Sequence, residues 1–169
     1  PLLTSSTGTV ASASYILTGT KEKYSSVYNA GSQIISNTSS TTWTSSSTGL
    51  VEGVNTFTIS SRDYTGNESS TGTYTVTLDT IVPVTPTISY SSTSSVTPAI
   101  ITGNTEASAQ MHVNGTYYAS ADSTGFFTVL ADLNVGLNTI LVTAKDTVGN
   151  TSGTSTATIT KYDVSSGGG

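Results

Sequence analysis

Gly53-Val54-Asn55-Thr56-Phe57-Thr58-Ile59 and Gly136-Leu137-Asn138-Thr139-Ile140-Leu141-Val142 are one pattern written twice. Each copy runs on into Asp-x-x-Gly-Asn, as Asp63-Tyr64-Thr65-Gly66-Asn67 and Asp146-Thr147-Val148-Gly149-Asn150. The offset is 83 residues (63 to 146) and holds without a gap to Thr77 and Thr160. Matching Thr residues carry little weight in so Thr-rich a chain; the matched Gly, Asn, Asp and apolar positions carry the argument. A period of domain size means one folding unit made twice.

Upstream the correspondence continues at an offset of 84 (16 to 100), with Ile16-Leu17-Thr18-Gly19 against Ile100-Ile101-Thr102-Gly103 and Trp43 against Phe127, so one residue is lost before Gly136. Pro1 falls opposite Pro86 within one further residue, which makes Asp79 to Pro86 the connection between copies. The expected division is residues 1–80, a linker at 81–85, residues 86–163, and a flexible Gly-rich tail at 164–169.

Within each copy apolar side chains alternate with Thr, the period of a strand with one buried face. Tyr74, Val76 and Leu78 face one way and Thr73, Thr75 and Thr77 the other; Phe57 with Ile59, and Ile140 with Val142 and Ala144, repeat this in the preceding strand. In the second copy strands are predicted near Thr87 to Tyr90, Val96 to Thr102, Ala109 to Val113, Thr116 to Ala121, Phe126 to Leu130, Leu137 to Ala144 and Thr154 to Tyr162. About seven short strands per copy, separated by Gly, Asn and Ser clusters, fit two packed antiparallel sheets. No amphipathic helix is found, so the fold class is all-β, with Trp43 and Phe127 as the core anchors.

Composition supports order. Disorder goes with few aromatics and high net charge, whereas the 169 residues include nine Tyr, three Phe and one Trp at a net charge of only -5. Thr is β-branched and suits the solvent side of a pleated strand without charge. The absence of Cys excludes a disulfide scaffold, a thiolate metal site and a cysteine nucleophile. Five Lys plus Arg against ten Asp plus Glu argue against a nucleic-acid partner, which needs a concentrated basic face. No apolar stretch spans a bilayer and no basic-plus-apolar signal opens the chain, so no membrane insertion is expected in this segment. Pro1 is no initiator, and the chain is expected to be a mature or excised piece.

Catalytic chemistry finds little support. His112 is the single His; its neighbours Met111 and Val113 sit on the opposite face of a strand, so it is expected to face solvent, and the matching position in the first copy is Tyr28. A Ser-His-Asp triad, a His-based zinc site and a phosphate-binding loop find no support in the sequence. The acids lie in expected turns that recur in both copies, which argues against paired carboxylates of a glycosidase. An enzyme is not expected.

The motifs Leu-x-x-Gly-x-Asn-Thr (Leu50 to Thr56, Leu133 to Thr139), Asp-x-x-Gly-Asn, and a closing strand into Asp79-Thr80-Ile81-Val82-Pro83 resemble the bacterial immunoglobulin-like repeats of large cell-surface adhesins and biofilm proteins. The resemblance covers nearly the whole chain. It implies two tandem immunoglobulin-like β-sandwich domains in an extracellular, cell-surface protein, part of a rod that holds an adhesive tip away from the cell and is often stiffened by Ca²⁺ at domain junctions. In such a sandwich the chain enters at the end that carries the B-C and F-G loops. Asp79, Glu106, Asp146 and Asn150 would therefore converge as oxygen ligands for an interdomain Ca²⁺, with Glu22 and Asp63 as the outer pair of the first copy. Asp and Asn beside Gly are also ordinary turn formers, and that reading competes with the metal.

Two functions stay open at this point. One is a structural module, a rigid spacer in a stalk, adhesin, filament or layer, whose partners are neighbouring repeats or copies of itself. The other is a binding module for surface glycan or protein, free-standing or appended to a secreted enzyme. Its candidate residues lie around Tyr24, Tyr28, Tyr117 and Tyr118, foremost Tyr117 and Tyr118, which are adjacent, so that alternation sends one of them outward.

Overall fold

The computed structural model describes residues 1–5, 7–46 and 48–163, and the expected tail at 164–169 lies outside them. The described residues form strands and turns with no helix. The chain divides into two compact units, Pro1–Thr80 and the remainder from Ile81 on. Ile81 to Pro86 belongs to the second unit, with Pro83 and Pro86 buried there. Each unit has its own core.

The first unit carries β1 (Leu2–Leu3), β2 (Gly8–Val10), β3 (Ser14–Tyr15), β4 (Thr18–Thr20), β5 (Ser25–Asn29), β6 (Ser32–Thr38), β7 (Thr42–Thr44), β8 (Thr48–Gly49), β9 (Gly53–Asp63) and β10 (Gly72–Leu78). The second carries β11 (Thr87–Tyr90), β12 (Thr93–Ser94), β13 (Ala99–Asn104), β14 (Gln110–Val113), β15 (Thr116–Ser120), β16 (Phe126–Ala131), β17 (Gly136–Lys145) and β18 (Ser155–Lys161). Strand order is the same in both: β1-β4-β7 and β2-β10-β9-β5-β6 in the first, β11-β13-β16 and β12-β18-β17-β14-β15 in the second, with a small β3-β8 pair added to the first. In each unit the opening strand is split, its first half in the three-stranded sheet and its second half in the five-stranded one. Counting each split strand once, the second unit has the seven strands the sequence predicts. The strand predicted from Val96 starts only at Ala99, because Pro98 has no N–H to give the ladder.

The alternating residues face as the pattern requires. Phe57, Ile59, Val76 and Leu78 are buried in the first unit, and Ile140, Val142, Ala144, Ala157 and Ile159 in the second. Trp43 and Phe127 are 4% and 2% exposed. The glycines matched in sequence, Gly19 and Gly103, exist for these rings: a Cβ on Gly19 would lie 2.6 Å from the Trp43 indole, and one on Gly103 2.7 Å from the Phe127 ring. Each would also collide with a carbonyl of the neighbouring strand, that of Leu2 or Thr87.

The Leu-x-x-Gly-x-Asn signature has an equally local cause. Leu50 and Leu133 plug the two cores. Gly53 and Gly136 take φ of 88° and 95°, open to glycine at no steric cost. The Asn side chain then staples the loop: Asn55 accepts from the Val51 N–H (2.9 Å) and donates to the Val51 and Gly53 carbonyls (2.7 and 2.9 Å). Asn138 does the same with Asn134 and Gly136.

The residue lost between offsets 84 and 83 also has a place. In the second unit β13 and β16 pair without interruption from Ala99↔Ala131 to Asn104↔Phe126. In the first, Thr18↔Thr44 and Tyr15↔Thr48 are out of step by one residue. The insertion therefore sits between Thr44 and Thr48, where Ser45 is buried and its Oγ accepts the Leu17 N–H at 3.0 Å.

Candidate functional site

The two Asp-x-x-Gly-Asn loops are built alike. Asp63 Oδ1 accepts the N–H of Thr65 and of Asn67 (2.9 and 2.8 Å) and the Thr65 hydroxyl, while Oδ2 accepts Asn67 Nδ2 at 2.7 Å. The Asn67 amide and the Thr65 hydroxyl hold its pKa at about 2, against 3.8 for a free Asp. Asp146 Oδ1 accepts the N–H of Val148, Gly149 and Asn150, and Oδ2 accepts Asn150 Nδ2 at 2.7 Å. Partial burial pushes this carboxyl up, but the Asn150 side chain and the three loop amides outweigh it and leave it below the usual range. Both oxygens of each carboxylate are thus engaged by their own loop.

Within the second unit the B-C turn and the F-G loop meet the incoming chain. Thr105 Oγ1 donates to the Val84 carbonyl at 2.6 Å, next to Glu106, and Asn150 Nδ2 donates to the Ile81 carbonyl at 3.4 Å. Glu106 is exposed and its carbonyl accepts the Ala109 N–H at 3.2 Å. Asp79 lies one residue before the end of the first unit, its N–H donating to the Val10 carbonyl at 2.9 Å. Among the described residues no three His, Cys, Asp or Glu side chains group as metal ligands.

Tyr117 and Tyr118 stand elsewhere, on β15 at the edge of the five-stranded sheet. The β14–β15 ladder pairs His112↔Tyr117 and then Met111↔Ala119, so Tyr118 is the extra residue of a β-bulge. A bulge turns the strand and re-aims a side chain. Alternation alone would send one Tyr outward; the bulge leaves both exposed, 54% and 41%. They line a groove of about 360 Å³ with Asn114, Thr116, Leu130 and Asp132. Leu130 and Asp132 come from β16, the edge of the other sheet, and the residue after it, so the groove opens where the two sheet edges approach. His112 departs from the sequence expectation: it is only half exposed and its Nε2 is buried, because the Tyr117 ring lies edge-on over it at 6.0 Å between centroids and 71° between planes.

Of this groove the sequence showed only the adjacent tyrosines. Asn114 is the first residue of the hairpin turn, and Asp132 sits at the end of a strand, so neither is marked by a motif. The Asn-Gly pair at Asn114-Gly115, a hairpin signal, was the available clue.

No family model matches the chain, and no curated protein does. Among solved structures, the chain resembles the fibronectin(III)-like modules of Clostridium thermocellum CbhA over 99% of its length and 96% of theirs, with a TM-score of 0.61 at 17% identity. The fold is that of paired fibronectin(III)-like β-sandwiches. A biofilm-associated protein BSP domain aligns over 95% of this chain and 29% of its own at 19% identity and a TM-score of 0.34. The D00-D0 domain of intimin aligns over 88% and 93% at 13% and 0.30. At 17% identity the likeness to the CbhA modules speaks for the fold alone, in line with the β-sandwich repeats read from the motifs. Among the described residues no helix is long and apolar enough to cross a membrane.

Proposed function

We propose that the chain is a pair of structural beads in an extracellular surface protein, where repeated sandwiches add length to a stalk, adhesin or filament. One observation carries this reading. In each unit the opening strand runs parallel to the closing one, with Gly8–Val10 beside Val76–Leu78 and Thr93–Ser94 beside Thr160–Lys161. Parallel first and last strands put chain entry and chain exit at opposite ends of the unit. Units so built add length when strung together, and tension across one shears its terminal ladder along the strands. The two separate cores let each bead fold without the other.

Single-molecule pulling on the termini tests it. Two separate force peaks are expected, each releasing about 260–290 Å of chain, the length of about eighty extended residues. Extension without force peaks, or one event for the whole chain, refutes the spacer. Calcium at a junction forms a second part of the proposal, on the donors Asp79, Glu106, Asp146 and Asn150. A cation there has to displace Asn150 Nδ2 from Asp146 Oδ2. A melting midpoint that rises in CaCl₂ and falls in EDTA supports it; an unchanged midpoint removes it.

A further inference from the structure

The spacer role makes no use of Tyr117 and Tyr118, and the groove beside them is where the second unit departs from the first. At an offset of 84 (34 to 118) the counterpart of Tyr118 is Ile34, also the unpaired residue of its hairpin bulge, since Val27↔Ile35 is followed by Tyr28↔Gln33. Ile34 packs against the core of the first unit. The same backbone device thus delivers an apolar side chain inward in one unit and a tyrosine to solvent in the other.

We propose that this groove binds a neutral saccharide. Both rings are exposed and are presented by a bulged strand, with the Tyr117 ring braced against His112. An aromatic face is electron-rich and accepts the polarised C–H bonds on the flat side of a pyranose ring. Hydrogen-bonding groups surround the rings. Among the described residues the Thr116, Tyr117 and Tyr118 hydroxyls and the Asp132 carboxylate have no hydrogen-bond partner in the protein. Asn114 Oδ1 is held by the Leu141 N–H at 2.9 Å, which leaves its amide NH₂ to donate. A carboxylate beside an amide and hydroxyls accepts from and donates to a vicinal diol. The volume, about 360 Å³, lies at the small end of ligand sites and suits one or two sugar rings of a longer chain.

Charge selects among saccharides. Asp132 is the charged group of the groove, and the chain carries a net charge of -5, so an anionic glycan is repelled and a neutral one is not. An extended peptide fits less well. Adding a strand to β15 needs an even ladder, and the bulge at Tyr118 breaks that ladder within five residues.

Native affinity electrophoresis of the whole chain through gels containing barley β-glucan, xylan, galactomannan, mannan or dextran tests this. The expected result is retardation by at least one of these polymers. Tyr117→Ala or Tyr118→Ala should each weaken it about tenfold, Asp132→Asn should weaken it, and the double Tyr variant should abolish it. Tyr64→Ala, an exposed tyrosine of the first unit, should change nothing. Circular dichroism melts identify any variant that loses its fold, and Asp132→Asn, a surface change of one atom, then carries the test. Migration of the wild type unaltered by every polymer overturns the proposal and leaves a protein partner for the groove. Retardation that survives the double variant also overturns it. Neither outcome touches the pulling signature of the spacer, which does not depend on these side chains.

Discussion

The two units share strand order, aromatic anchor, asparagine staple and parallel terminal strands, yet they spend their remaining positions differently. The first buries polar groups, Lys21, Ser25, Ser45 and Ser60, and sets Arg62 over the Tyr28 ring at 4.8 Å and against Glu68 at 3.1 Å. Lys21 Nζ reaches the Thr38 carbonyl at 3.1 Å, and burial pushes its pKa down. The second lines its core with Ala99, Ala109, Ala121, Ala131, Ala144 and Ala157, with Ser152 as its buried polar residue among those described. The lesson is that a handful of positions holds this sandwich, and the others are free to diverge into charge networks or into a binding groove.

If the shared positions are what hold both units, the largest effects come from Gly19→Ala and Gly103→Ala. Each forces a methyl group into an aromatic ring and a neighbouring carbonyl, and overpacking of this kind costs about 3 kcal/mol. Differential scanning calorimetry should show the transition of the altered unit drop sharply while the other stays. A unit that tolerates the change breaks the claim that ring and glycine form one device in both copies.

How much of this was legible in advance depended on whether the cause was local. Val76 and Leu78 face inward because period-two alternation leaves a strand no other choice, so the core followed from sequence. The Gly19 and Gly103 match was visible too, but the ring above each glycine lies on another strand and could not be read. Asp63 and Asp146 as turn formers followed from short-range hydrogen bonding. The exposure of both Tyr117 and Tyr118 did not, because a bulge depends on the register of β14 against β15. His112 was misjudged for a related reason: its shield is the side chain of a cross-strand partner.

A subtler contrast lies in the hairpin turns. Ala30 and Asn114 both take left-handed backbone, φ of 47° and 50°, followed by Gly31 and Gly115 at 81° and 83°. Asn tolerates this conformation, whereas Ala has no side-chain hydrogen bond to offset a strain of about 1–2 kcal/mol. In the first unit the amide role passes to Asn29, whose Oδ1 accepts the Thr58 N–H at 3.0 Å. Asn114→Ala should therefore destabilise the second unit by about 1–2 kcal/mol through strain plus a lost hydrogen bond. Ala30→Asn should stabilise the first by about 0.5–1 kcal/mol through backbone relief alone. Equal and opposite shifts would mean that Asn29 is not doing for the first turn what Asn114 does for the second.

The smallest expected effect separates the units at acid pH. Asp63 and Glu68 are held below their usual pKa in the first unit, Asp122 and Asp146 in the second. A carboxyl whose folded pKa is depressed stabilises the fold above its unfolded pKa, and that contribution drains as pH falls toward the folded value. For Asp63 the window runs from 3.8 down to about 2. Its loop is exposed, so solvent screens the gain. Burial opposes the Asp63 hydrogen bonds too but ranks below the Asn67 and Thr65 side chains, whereas burial is the largest influence on Asp146 and acts against its hydrogen bonds. Asp63→Asn should therefore flatten the pH dependence of the first transition between pH 4 and 2 more than Asp146→Asn flattens the second. Equal flattening would show that burial of the Asp146 loop has no bearing on how tightly its carboxylate is held.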